Sequence, residues 1–287
     1  MRRLSIAVIA TAAIIAFPHL TSAADLGRQN YKAPPPPSPP VYNWTGWYVG
    51  ANIGGGWGHR DVTYVPNDPI SNFLAIVFNP PLTAASFNSS GIIGGLQLGY
   101  NWQFNRNWLL GFEADFNWSG VKGSTSNNSN AGFAVSIPFT AAVDEHIKWF
   151  GTVRARLGYL PSDNFLVFIA GGFAYGRVEH SASMTDMNGV FGAAGFGFSF
   201  LCSNNSPCFA GSTSDIAAGW TLGGGFEYAF AQRWTFKAEY LYVSLDGTSV
   251  TETALTLFGA GTSPASFNAN FNRTNFGVAR VGLNYRF

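Results

Sequence analysis

The chain has 287 residues, a formal net charge of +1, 34 glycines, 16 % aromatic residues and only 11 % charged residues. Ordinary globular proteins contain about 25 % charged residues, so this composition makes a poor soluble surface, and the rings require a large core or a membrane. A hydrophobic content of 47 % excludes a mostly disordered chain, and the lack of any basic run in the sequence argues against a nucleic-acid partner.

The first segment is typical of a secretory signal peptide. Arg2 and Arg3 are followed by apolar residues 4–17 and by the small residues 21–23, which suit a cleavage site. The alternative is that the segment is retained as a transmembrane helix. A membrane-spanning helix needs about 20 apolar residues, however, and this apolar stretch is shorter. We therefore predict that residues 1–23 are a signal peptide.

A proline-rich tail follows at residues 24–43, and its composition favours extended polyproline II structure. Beyond it no apolar run is long enough for a transmembrane helix. Apolar and polar residues alternate instead with a period of two, most clearly from Leu110 to Trp118. Eight strands are predicted in this way: Trp47–Trp57, Leu96–Phe104, Leu110–Trp118, Trp149–Tyr159, Phe165–Arg177, Trp220–Phe230, Trp234–Tyr242 and Val281–Phe287.

The connections between these strands are alternately short and long. The long ones are residues 59–89, 123–144, 180–214 and 246–272. Short periplasmic turns and long external loops are typical of outer-membrane barrels. The sequence therefore predicts an all-β fold at residues 44–287, an eight-stranded antiparallel transmembrane up-and-down barrel with both termini in the periplasm.

The apolar face of the predicted strands ends in aromatic rings, as the girdles of a membrane barrel do. The predicted girdle residues are Trp47, Trp102, Trp108, Trp118, Trp149, Tyr159, Trp220, Trp234, Tyr285 and Phe287. A bilayer cannot hydrate an open sheet edge, so the sheet is expected to close.

The polar face carries charge. The predicted inward charges are Glu113, Asp115, Lys148, Arg154, Arg156, Glu227, Lys237, Glu239, Arg280 and Arg286. The interior of an eight-stranded barrel is only wide enough to be filled by side chains. We therefore expect these groups to pair in a network that plugs the lumen and serves structure rather than catalysis.

Several segments resemble a known family: Ala23–Leu26, the proline tail, Asn43–Tyr48 and Leu283–Phe287. They are similar to those of the small outer-membrane barrels of alpha-proteobacteria, the outer-membrane immunogenic proteins, whose fold is like the OmpA transmembrane domain. The resemblance implies an abundant surface protein with a role in envelope stabilisation or slow solute passage. It also implies insertion by the barrel-assembly machinery, with Tyr285 and Phe287 as the assembly signal.

The third long connection contains both cysteines. Cys202 and Cys208 are expected to form a disulfide in an oxidising compartment rather than a metal or redox pair. The apolar run Val190–Leu201 just before them is interpreted as an extended hairpin or an adhesive surface, not as a ninth barrel strand.

Motifs for phosphate, dinucleotide or zinc-protease sites do not occur in the sequence, so we predict no enzyme activity, no cofactor and no metal. One constellation is left at the external rim, where Glu145 faces His180 and His146 faces Glu179, with Ser181 and Ser183 beside them. Two ion pairs are the simpler interpretation, and a serine hydrolase acting on lipid is the alternative.

The predicted function is that of an integral outer-membrane barrel with a structural or surface role and at most narrow porin-like solute passage. Its predicted partners are outer-membrane lipid and lipopolysaccharide, the assembly machinery, and a host or surface ligand at the external loops. The alternatives are an outer-membrane lipid-modifying hydrolase and a secreted β-sandwich lectin.

Overall fold

The computed structural model describes residues 42–69, 71–72, 85–131, 137–186, 190–193, 198–201, 207–254 and 266–287. The predicted signal peptide and nearly all of the predicted tail lie outside these residues. In the part that is described, no helix is long and apolar enough to cross a membrane. The strands there are β1 (Gly46–Pro66), β2 (Ala85–Gln103), β3 (Trp108–Ala131), β4 (Ile137–Ser162), β5 (Phe165–Asp186), β6 (Val190–Ala193), β7 (Phe198–Leu201), β8 (Pro207–Ala229), β9 (Trp234–Leu245), β10 (Thr248–Ala254), β11 (Ser266–Phe271) and β12 (Thr274–Arg286).

Eight of these strands form a closed antiparallel ring in the order β1, β2, β3, β4, β5, β8, β9 and β12. The ring closes because β1 pairs with β2 on one side and with β12 on the other. The predicted eight-stranded barrel is thereby confirmed, and a β-sandwich is excluded because its two sheets would have open edges.

At the loop end of the barrel, the ring continues beyond the last residue of β9 and ahead of the first residue of β12. Two-residue interruptions at 246–247 and 272–273 separate β9 from β10 and β11 from β12. Past these points β11 pairs with β1 over Val62–Pro66, and β10 pairs with β11 and reaches β8. Strands β10 and β11 therefore take the places of β9 and β12, and the ring keeps eight strands.

The two ends of the barrel differ. At one end, which we call the turn end, only a few residues join β2 to β3, β4 to β5 and β8 to β9. At the opposite end, which we call the loop end, the strands run far past the expected membrane segment. The prediction that residues 59–89, 123–144, 180–214 and 246–272 are loops is wrong over much of their length. Strand pairing continues there because it buries a further apolar cluster inside the ring.

The apolar run before the cysteines forms a hairpin of its own. Strands β6 and β7 make a separate two-stranded sheet, in which Val190 pairs with Leu201. The interpretation as a hairpin, rather than a ninth barrel strand, is confirmed. Cys208 is buried inside the ring. Cys202 lies outside the described residues, so the disulfide stays a prediction.

Exposed aromatic side chains form two rows around the ring. Trp47 and Trp57 stand ten residues apart on β1, as do Trp108 and Trp118 on β3. With a rise of about 3.3 Å per residue and a strand tilt of about 40°, ten residues span about 25 Å, the height of the apolar band of a membrane barrel. The membrane-spanning segments therefore lie between the two rows.

The charged interior of the barrel

The interior is filled by alternating apolar and polar layers. From the turn end they are an apolar cluster around Trp44, an ionic layer around Glu113, a second apolar cluster around Phe150, a polar layer at Arg60, and a third apolar cluster around Phe209. The side chains named here are at most 3 % exposed. Packed apolar layers therefore lie on both sides of the ionic layer.

Glu113 is the centre of the ionic layer. Its carboxylate accepts hydrogen bonds from Tyr48 Oη at 2.6 Å, from Lys237 Nζ at 2.6 and 2.8 Å, and from the Arg154 guanidinium. A further bond comes from Arg156 Nη1 at 3.3 Å. Four strands are thus tied together through one side chain.

Asp115 and Glu239 complete this half of the layer. Asp115 accepts from Arg154 Nη2 at 2.9 Å and from Arg280 Nη2 at 2.8 Å. Glu239 accepts from Arg154 Nη1 at 2.9 Å and from Arg280 Nε at 2.7 Å, and it lies 2.9 Å from the Lys237 ammonium. Each cation therefore contacts at least two carboxylates, which offsets the cost of burying charge.

Glu227 holds the side of the layer nearest the turn end. It accepts from Arg156 Nη2 at 2.8 Å and from Asn284 Nδ2 at 2.8 Å. The Arg156 guanidinium also lies 4.2 Å from the centre of the Phe168 ring, a cation–π contact with the apolar cluster below. The layer contains four acids and four bases, so its formal charge is zero.

Glycine makes room for these side chains. Of the eight charged residues, six face a glycine on a neighbouring strand: Glu113 faces Gly99, Arg154 faces Gly172, Arg156 faces Gly111, Lys237 faces Gly282, Glu239 faces Gly225 and Arg280 faces Gly54. A Cβ at Gly225 would lie 2.8 Å from Glu239 Cβ, and one at Gly54 would lie 2.7 Å from Arg280 Cβ. The glycines thus supply the volume that a narrow barrel lacks.

The structure brings eight of the ten predicted lumen charges together, and the prediction is wrong for Lys148 and Arg286. A bulge between Ile147 and Trp149 interrupts the alternation, so Lys148 lies on the outer surface and pairs with Glu179 at 3.0 Å. Arg286 lies at the turn end, where its guanidinium stacks at 4.5 Å on the Tyr42 ring and is too far along the strand to reach the network.

Sequence reasoning missed the uncharged partners. Tyr48, Asn117 and Thr152 each hydrogen-bond a carboxylate of the ionic layer. It also missed Arg60, which was assigned to a loop. The signal was present, because Arg60 continues the even-numbered inward positions of β1 that include Tyr48.

The polar layer at Arg60 contains Glu145 and His180 of the hydrolase alternative, whereas His146 and Glu179 lie on the outer face of the wall. Glu145 faces His180 in the strand register, as expected, but its main partner is Arg60, whose Nε lies 2.8 Å from Oε1. The pKa of Glu145 is raised by burial and lowered less by Arg60, and burial together with the Arg60 charge lowers the pKa of His180 to about 4.

A catalytic triad is not assembled there. His180 is buried inside the ring, whereas Ser181 and Ser183 lie on the opposite face of β5. His180 Nδ1 lies 3.7 Å from Glu145 and has no hydrogen-bond partner in the described part of the chain. Among the described residues there is also no group of three or more side chains suited to a metal ion.

A family model for the outer membrane protein beta-barrel domain matches residues 32–287. The chain belongs to this family. This outer-membrane barrel is 31 % identical over 265 residues to the 31 kDa outer-membrane immunogenic protein of Brucella melitensis, with 92 % of each chain covered. It is 23 % identical to the 25 kDa outer-membrane immunogenic protein of Brucella abortus, with both chains covered fully.

Among solved structures, this chain is similar to Ail, the attachment invasion locus protein of Yersinia pestis, with 13 % sequence identity and a TM-score of 0.34. The match covers 85 % of this chain and 99 % of the Ail chain. The resemblance to small alpha-proteobacterial outer-membrane barrels is confirmed by the family match and by the Brucella relatives.

Proposed function

We propose that the barrel is a closed structural and surface-display protein of the outer membrane. The observation that carries the proposal is the filled interior, in which apolar layers enclose the ionic layer on both sides. Water and ions would have to enter packed apolar clusters, which is unfavourable. At most a narrow, slow passage of solutes is compatible with this packing.

The proposed orientation places the turn end in the periplasm and the loop end outside the cell. Barrels of this class have short periplasmic turns and long external segments. The Brucella relatives are named immunogenic proteins, which agrees with surface display of the loop end. Outer-membrane lipid, and the assembly machinery during insertion, are the proposed partners. A host or surface ligand is proposed for the loop end.

The test is a current recording on the full chain refolded into a planar bilayer, with insertion verified by a shift in gel mobility on boiling. A closed barrel gives no stable conductance steps, whereas steps of porin size would contradict the proposal. Protease treatment of intact cells tests the orientation separately. Cleavage is expected at the loop end, and cleavage only after the outer membrane is opened would reverse it.

A further inference from the structure

A polar groove lies on the outer surface of the barrel, on the loop-end side of the aromatic rows. Its volume is about 850 Å³, and it runs across β3, β4, β5 and β8. Acidic, basic and hydroxyl groups line it together, among them Lys122, Asp144, His146, Glu179, Ser181 and Ser214. This surface is separate from the ionic layer, because alternate residues of these strands point inward.

The strand register places the groove next to the aromatic row. Trp118 pairs with Trp149, which pairs with Arg177, so this arginine stands in the row itself. The next outward row starts with Lys122, which pairs with His146. At this height, just past the tryptophans, a bilayer presents its lipid headgroups.

Positive charge on the outer wall is concentrated at this place. In the described strands, the outward-facing lysines and arginines in the aromatic row or beyond it are Lys122, Lys148 and Arg177, all on the adjacent strands β3, β4 and β5. Arg273 lies between β11 and β12, and it faces Asp246 at 3.4 Å. Burial, the Lys148 charge and, more weakly, the Lys122 charge lower the pKa of His146, which leaves the imidazole neutral at pH 7.

The groups present match one class of ligand. Lysine and arginine bind phosphate through charge-assisted hydrogen bonds, and serine, histidine and aspartate can bond to sugar hydroxyls. The exposed Trp118 immediately below gives an apolar surface for acyl chains. A protein partner would not need the groove to stand at headgroup height.

Lys122 lines the groove, while Lys148 and Arg177 stand at its membrane-side border, where Lys148 contacts the lining residue Glu179 and Arg177 pairs with Trp149. We propose that the groove and this border bind the phosphorylated sugar headgroup of an outer-leaflet glycolipid, with Lys122, Lys148 and Arg177 at its phosphates.

This assignment rests on the orientation proposed above, which the protease experiment tests independently. The probe is diphosphoryl lipid A, titrated into the full refolded chain in detergent micelles. A basic residue near an anionic lipid surface contributes about 1 kcal/mol, or about fivefold in affinity. The triple variant Lys122→Gln, Lys148→Gln, Arg177→Gln is therefore expected to bind about 100-fold more weakly.

Three comparisons make the result specific. A control triple variant, Arg106→Gln, Arg233→Gln and Arg273→Gln, removes the same charge elsewhere and is expected to bind like wild type, as is the charge-preserving pair Lys122→Arg, Lys148→Arg. If the first triple variant does not refold, Arg177→Gln alone is expected to lose about fivefold.

Equal losses in the two triple variants would overturn the proposal. Undiminished binding of dephosphorylated lipid A would also overturn it, because Lys122, Lys148 and Arg177 would then not be binding the phosphates. Inorganic phosphate that competes at the same concentration as lipid A would assign the site to a free ion instead of a glycolipid.

Discussion

Glu113 is the residue on which the ionic layer depends most. It is 3 % exposed and accepts hydrogen bonds from three different cations and one tyrosine. Replacing it with Gln would remove one of the carboxylates that Lys237, Arg154 and Arg156 each contact, and would leave the buried layer with one more base than acid. Loss of one partner of a buried ion pair costs about 3–5 kcal/mol.

Glu113→Gln is therefore expected to lower the free energy of unfolding in lipid vesicles by about 3–5 kcal/mol, measured by urea titration. Tyr48→Phe is the matched control, because it removes one hydrogen-bonding hydroxyl and leaves every charge in place. Its expected cost is about 1–2 kcal/mol. Equal effects of the two substitutions would show that the ion pairs add nothing to the hydrogen bonds.

Glu252 shows the opposite situation, a buried carboxyl without a partner. It is 0 % exposed, and neither carboxylate oxygen has a hydrogen-bond partner in the described part of the chain. Burial raises its pKa from 4.5 to about 8. The folded state therefore binds more protons than the unfolded state between these values, and stability must fall as the pH rises through that range.

The lowered pKa of His180 opposes this change near pH 6.5, where the unfolded chain is still half protonated at this imidazole, and that contribution fades within about one pH unit above it. From pH 7 to 8 the free energy of unfolding is therefore expected to fall by about 1 kcal/mol in wild type, because Glu252 is half ionised in the folded state at the upper pH. Glu252→Gln should remove this slope, since an amide does not titrate. The measurement is urea unfolding at both pH values, and an unchanged slope in the variant would assign the effect to another group.

At the scale of the strand, alternation predicted the barrel and one local irregularity limited the prediction. Strand number, closure and the inward position of Glu113, Arg154 and Arg280 follow from a period of two. The bulge before Trp149 reverses the alternation, and nothing in the residue pattern marks it, so Lys148 was misplaced. Alternation predicts which face of a strand a residue lies on, but not how far along the barrel it lies. For this reason it does not separate Arg286, at the turn end, from the charges of the ionic layer.

The long external extensions were missed for a different reason. Beyond Trp118, β3 carries mostly small polar residues that are typical of loops as well as of strands. Only pairing with neighbouring strands makes them regular, and pairing over such distances depends on tertiary structure.

The final strand carries a prediction at this scale. Phe287 is 71 % exposed and follows β12, with its ring 5.7 Å from that of Tyr285. Its deletion is expected to reduce the amount of protein in outer-membrane fractions strongly, because the proposed assembly signal is an exposed terminal aromatic residue. Phe287→Trp keeps an aromatic ring and should preserve the level on an immunoblot. Normal levels after deletion would refute this role.

Across the whole molecule, an ion or solute in the lumen would have to pass several packed layers one after another. The ionic layer alone was expected to be the plug, but the apolar clusters around Trp44 and Phe150 lie on either side of it. Opening one layer leaves the others closed.

The double variant Glu113→Ala, Asp115→Ala is accordingly expected to unfold at lower urea concentration without gaining conductance. The control is Phe150→Ala, Phe276→Ala, which opens space in the apolar layer and should also stay closed. Bilayer recordings that reveal current steps in the first variant and not in the second would make the ionic layer the sole barrier.

The continuation of the ring past the membrane also sets how far the molecule stands out. From Trp118, β3 runs thirteen residues to Ala131, which corresponds to a rise of about 30 Å at the usual tilt. In the proposed orientation, the barrel is a rigid pedestal whose summit stands clear of the lipid headgroups and the first sugars attached to them. An antibody can then reach the summit without penetrating that layer, whereas the groove at the foot of the pedestal stays hidden from it.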